Sequence, residues 1–490
     1  IGIDAMNAVT TSNTQAVAVG YAAGKATTTG LYNVFVGYSA GVSLTSGEGN
    51  VAVGHNALSS EDAYGKNVAV GTSALETLDA GTDGYNVAMG YQAGKLMSLG
   101  TNNVVLGGLA GDSITSGSNN IAIGKSALAT EDGNGKNIAI GTNALTTLNA
   151  GADGNNIGIG YNAGTSVTVG VNNVFIGGNA GDAVIGGGQN IAIGRMAYTE
   201  GTSGSDNVAI GHYALFNEDT GSKNVAIGTA ALESLNAGAD AYGVAVGYYA
   251  GKSNSTGISN TFIGGRSGQA TTVGRDNVFV GADSGYTNVD GSRSVGIGYK
   301  ALYLQEPSGA TDTYNIGVGY NAGGSISTGV QNTCIGGSAG DSIQSGQRNV
   351  VIGYNADTSG STGTNVMIFG ANAAGHGDNI IVLGNADHLA IHPGDDNGVD
   401  LGSGSYSFKD AYIQGSLKIG DTSGSTYFQL PTTIGHSGQV LEVPTSGNIL
   451  EWATPSTSSG SDSSGSCCTT DGSSFYVGNN PTTNSGYDTA

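Results

Sequence analysis

Three acidic pairs, Glu61-Asp62, Glu131-Asp132 and Glu218-Asp219, are the first residues whose types and spacing could do chemistry. Two carboxylates in unequal environments can serve as the acid and the nucleophile or base of a glycosidase. Each pair is followed by a lysine, Lys66, Lys136 or Lys223. Such a recurring cassette reads as solvated loop charge pairs rather than as one catalytic site. Asp112, Asp182 and Asp341 recur in Ala-Gly-Asp turns. Each turn offers Ca²⁺ a single carboxylate, against the about six to eight oxygens that ion takes. His388 and His392, flanked by Asp387, Asp395 and Asp396, fall on one side of an extended segment. Three copies around an axis could hold a metal ion, although a solvated turn explains the pair as simply. Gly158-x-Gly160 and Gly317-x-Gly319 lack the spacing and following helix of a dinucleotide loop. No cofactor is expected beyond a structural divalent cation. Cys334 stands alone and Cys467-Cys468 are adjacent, which gives neither a disulfide framework nor a zinc spacing.

Aromatic rings form a more regular set. Tyr91, Tyr161, His212, Tyr248 and Tyr320 each follow directly on a recurrent glycine, as do Tyr21, Tyr38, His55, Tyr299 and Tyr354. Rings so placed could stack on the glycans of a host surface, or simply cover the body that carries them.

The elements that must carry these residues are repeats. The pattern Asn-Val/Ile-x-Val/Ile-Gly recurs twenty times between Gly20 and Gly353, and of the nineteen intervals fifteen are 17 residues, three are 19 and one is 21. Asn stands four before the glycine in seventeen copies, and Ala three after it in all but those with Ser267 and Ser284. A second period of 70 residues groups the units in fours, as in Gly90 to Gly160. A short Val/Ile run, a small-residue turn, a Ser/Thr segment and a Gly-x-x-Asn return make one coil of a parallel β-solenoid. Stacking at about 4.8 Å puts like residues in columns. Asn33, Asn50, Asn67, Asn103, Asn120, Asn137, Asn173 and Asn190 are expected to form a structural ladder bonded to the coils above and below. Gly37, Gly54, Gly71, Gly107, Gly124 and Gly177 are expected at corners of positive φ.

Composition agrees. The 490 residues include 88 glycines, only 6 prolines and 11% charged residues, so the chain is neither collagen nor ordinary disorder. Its net charge of −22, with scattered basic residues, excludes a nucleic-acid partner. No apolar run approaches a bilayer span and IGIDAMNAVT does not read as a signal peptide, so no membrane insertion is expected. The strand is apolar on both faces: Val34 and Val36 point one way and Phe35 the other, with Ala52, Ala69 and Ala88 below it. A narrow coil covers only one face, so the other is expected to meet copies of the same chain in a parallel homotrimer.

The units GTNALTTLNAGADGNNIGIGYNAG and SDNVAIGHYAL resemble the head repeats of trimeric autotransporter adhesins of the YadA type. That resemblance implies a left-handed parallel β-roll in an intertwined homotrimer and covers residues 16–384. The family period is about 14 residues, which here occurs only between Gly370 and Gly384. LGSGSYSFKDAYIQGSLKIG and FQLPTTIGHSGQVLEVPTSGNILEWA resemble modules of bacteriophage tail fibres. The expected organisation is a β-roll shaft over 1–384, a β-rich fibre module over 385–420, a β-hairpin module over 421–454, a Ser/Thr/Gly linker over 455–474 and a tail over 475–490. The expected protein is a non-enzymatic trimeric fibre of a phage virion. Its partners would be itself, other fibre or baseplate proteins, and a host glycan or protein receptor. The alternatives are a surface adhesin or extracellular filament subunit and, further off, a polysaccharide-degrading tailspike.

Overall fold

A computed structural model describes residues 1–10, 15–133, 135–151, 153–387, 418–420, 427–429, 436, 439–442 and 451–454. The chain divides into two units, Ile1–His388 and Leu389–Ala490. Among the described residues there is no helix, and so none long and apolar enough to cross a membrane. His388, His392, Cys467 and Cys468 lie outside the described residues, as do the linker and tail expected beyond residue 454.

The first unit is a parallel β-solenoid. It has 22 strands of three residues, numbered in chain order from β1 (Val17–Val19) to β22 (Ile381–Leu383). Each strand pairs in parallel with the next, and residues at the same place in successive coils are partners throughout, as Val34 with Val51 and Phe35 with Ala52. In the second unit, β23 (Lys418–Gly420) pairs antiparallel with β24 (Tyr427–Gln429), and β25 (Val440–Glu442) with β26 (Glu451–Ala453). The first of these pairs runs across the module boundary expected at 420/421.

Glycine is required where each strand ends. Gly107 has φ +133°, and a Cβ there would lie 2.6 Å from the Gly124 carbonyl oxygen of the next coil. Backbone angle and clearance therefore exclude a side chain together. Two residues on, non-glycine residues such as Ser39 (φ 53°) and Asn56 (φ 55°) also adopt the left-handed region, at about 1–2 kcal/mol each. The amide of each donates to the preceding coil, Ser39 to Tyr21 and Asn56 to Tyr38, both at 2.9 Å, which holds that conformation.

The strand face that turns inward is the middle position. Phe35, Ala52, Ala69 and Val105 are fully buried, whereas their Val and Leu neighbours on the opposite face are half-exposed. The interior is filled by complementary pairs. Coils with Phe35, Phe175, Phe262 and Phe279 carry Gly41, Gly181, Gly268 and Gly285 in the turn; coils with Ala52, Ala69, Ala122 and Ala139 carry Leu58, Leu75, Leu128 and Leu145. A Cβ on Gly41 would lie 2.3 Å from the Phe35 ring, so the large residue takes one site or the other.

All eight ladder asparagines named above are buried. Their bonding differs from expectation. Asn173 Oδ1 accepts the Asn190 amide at 2.9 Å, and its Nδ2 donates to the Gly187 carbonyl at 2.9 Å. Both partners belong to the following coil; only the backbone N–H of Asn173 reaches back, donating to Asn156 Oδ1 at 3.0 Å. At this rung the short side chain reaches one way only, whereas Asn86, Asn332 and Asn349 also donate Nδ2 back to the Oδ1 of the preceding asparagine, as expected. Asn173→Ala would strand the Asn190 amide and the Gly187 carbonyl, and should lower stability by about 2–4 kcal/mol in guanidinium denaturation followed by circular dichroism.

Candidate functional site

The acidic cassettes are not solvated charge pairs. Glu61, Glu131 and Glu218 are fully buried. The physical reason is their place in the coil: each stands seven residues after a recurrent glycine, in the inward column occupied elsewhere by Leu44, Leu78, Met97, Ile114 and Leu148. Nor do the following lysines serve these pairs. Lys66 pairs with Asp83, Lys136 with Asp153 at 2.6 Å and Lys223 with Asp240 at 2.5 Å, each one coil further on and on the surface.

Inside the column the carboxylates are incompletely satisfied. Glu61 accepts the Tyr64 amide at 3.2 Å and Glu218 the Gly221 amide at 2.8 Å, in each case through Oε1. Their Oε2 atoms meet no hydrogen-bond donor. Burial pushes the Glu61 carboxyl up to about 7; the Tyr64 and Ala80 amides oppose this, and Asp79 and Asp62 add to it. Burial raises Glu218 in the same way, with Asp219 adding repulsion. A raised acid beside other carboxylates has the electronics of a glycosidase pair but not its access, because neither Glu61 oxygen can touch a sugar lying on the coil surface.

The Ala-Gly-Asp turns stay separate. Asp182 is half-buried and pushed up to about 6 by burial, with Glu200 adding to the shift, and Asp112 is raised by burial against the pull of Lys95. Gly158 and Gly317 are strand residues against Leu145 and Leu302, not phosphate loops. Cys334 fills the same inward strand position, and burial pushes its thiol up to about 12.

The aromatic column is on the surface. Tyr21, Tyr38 and His55 stack in three consecutive coils with centroids 5.1 and 5.2 Å apart. Tyr91, Tyr161, Tyr248 and Tyr320 are 54–62% exposed, and in each case the next coil carries glycine at the same place: Gly108, Gly178, Gly265 and Gly337. A rung without a side chain leaves one side of the ring open. Tyr248 turns onto Tyr249, with centroids 3.8 Å apart, and the Tyr354 ring lies over Gly337. Beside Tyr91 and Tyr161 the gap remains: a Cβ on Gly178 would meet nothing within 4 Å, and one on Gly108 only the Tyr91 carbonyl, at 4.0 Å. His212 differs from these, half-buried against Tyr213 and 3.1 Å from the Arg195 guanidinium.

Because its carboxyl is raised, Glu218 binds a proton more readily folded than unfolded. The stability this group contributes is therefore present in the ordinary carboxylate range and lost as pH rises through the folded value. Asp219 on its own coil and Tyr198 on the preceding one are the titratable groups that face it. Denaturation of the full chain at pH 5 and pH 8 should show Glu218→Gln removing part of this loss and equalling or exceeding the native chain at pH 8. No family model matches the chain, and no curated protein matches it.

Proposed function

We propose that this chain is a structural, non-enzymatic subunit of an extracellular fibre, the tail fibre of a bacteriophage virion. It assembles as a homotrimer, joins other fibre or baseplate proteins, and holds or makes the contact with a host-surface glycan or protein. The observation that carries the reading is the outward Val/Ile face. Over 22 successive strands the two flanking residues are apolar except at Thr261 and Thr333, and they are mostly half-exposed, with some more open still, such as Met89 and Ile297. An apolar stripe of this length, interrupted only at two threonines, is far larger than isolated surface residues explain. Its repeat distance is that of the coils themselves, so a copy of the same chain is the partner that matches it rung for rung. The closed interior and the burial of Glu61, Glu131 and Glu218 support a mechanical role over hydrolysis. The resemblance of residues 401–420 and 428–453 to tail-fibre modules supports the virion over the cell surface.

In this reading the coils space weak contacts along the fibre and the threefold assembly multiplies them. Tyr91 and Tyr161, with their open rungs, are the rings best placed to stack on a sugar.

Light scattering of the purified chain should give three times 48.3 kDa. Ile193→Asp with Ile210→Asp, which places charge on the outward face, should return the single-chain mass. A native chain at the single-chain mass would sink the trimer. On a glycan array, the Tyr91→Ala, Tyr161→Ala double variant should lose about tenfold or more of the native signal at unchanged circular dichroism; an undiminished signal would remove these rings from the contact.

A further inference from the structure

The first acidic cassette faces a carboxylate in the following coil where its two copies face asparagine. Carboxylate oxygens of Glu61, Asp62 and Asp79 lie within 4.8 Å of one another, the only such grouping of three or more Asp, Glu, His or Cys among the described residues. Asp79 comes from the coil after the other two. Its equivalents in the later cassettes are Asn149 and Asn236, so only the first brings together three potential negative charges. Three carboxylates alone would repel and stay hydrated. Here, however, Glu61 is fully buried, and its Oε2 meets no hydrogen-bond donor. Lys66, the lysine that follows in the chain, is engaged with Asp83 instead.

We propose that Glu61, Asp62 and Asp79 bind one calcium ion per chain, clamping two adjacent coils together. The buried Glu61 carboxylate, held through Oε1 by the Tyr64 amide and with the Ala80 amide nearby, supplies an inner ligand, and the two exposed aspartates close over the ion from successive coils. Oxygens within the observed separation can share an ion at about 2.3–2.6 Å from each, the Ca²⁺ distance, and water completes the shell. The neighbouring cassettes lack the third charge and serve as internal controls.

The test is calorimetric titration of the chelator-treated, dialysed full chain with CaCl₂. The native chain should bind one ion per chain with a dissociation constant on the order of 10⁻⁴ M. Asp79→Asn converts the site into the constellation already present at Glu131 and Glu218, so the fold should tolerate it, as circular dichroism would verify. Its affinity should fall about tenfold or more, since calcium affinity follows the charge of the ligand set. No binding by the native chain at millimolar calcium would overturn the proposal. So would an Asp79→Asn chain that binds with native stoichiometry and affinity, because that would mean only diffuse attraction to an acidic protein.

Discussion

Everything in the solenoid depends on one constraint: each residue sits about 4.8 Å from its equivalents in the coils before and after it, held there by parallel backbone hydrogen bonds. A residue type is therefore tolerated only if it can lie next to itself. Asn can, because its two side-chain groups bond the next Asn amide and a glycine carbonyl beside it. Val, Ile, Ala and Thr can, by packing or by hydroxyl bonds such as Thr28 and Thr45 make to the carbonyls of the coils that follow. A column of like charges cannot, which is why the chain carries only 11% charged residues and its surface ion pairs cross from one coil to the next.

The same constraint explains what was legible beforehand. The Asn-x-x-x-Gly spacing announces the coil, its parallel register and its glycine corners because those needs recur in every copy. The direction of the Asn bonds was not legible, since residue identity is the same whether a side chain reaches forward or back. The Glu61, Glu131 and Glu218 cassettes misled for a different reason. Glu-Asp before Gly-Lys or Ser-Lys has the local composition of a solvated loop, and only the position seven residues after the repeat glycine shows it to be interior. Aligning the copies by that glycine sets Glu61 between Leu44 and Leu78, which is the signal that would have found it.

Which strand face is inward follows from volume. Phe at the middle position occurs with Gly in the turn, and Leu in the turn only with Ala or Gly at the middle position, so the cross-section holds at most one large side chain from this pair of sites. The outward Val and Ile show no such exchange along the repeat. That asymmetry marks the first face as closed within one chain and leaves the second free to pack on another surface.

A perfectly periodic solenoid would offer a repeating surface but no unique site, because every point on it would be equivalent to about twenty others. A unique site can reside only where a column is broken. Gly108 and Gly178 break the aromatic column and open a rung beside Tyr91 and Tyr161; Glu61 breaks the aliphatic interior column and leaves an oxygen unmatched. Such a break is tolerable because the intact coils on either side still fix its backbone, through the same strand pairing and the same Asn bonds found elsewhere. Periodicity thus supplies the rigidity, and the departures from it supply the places where one coil of the solenoid differs chemically from the next.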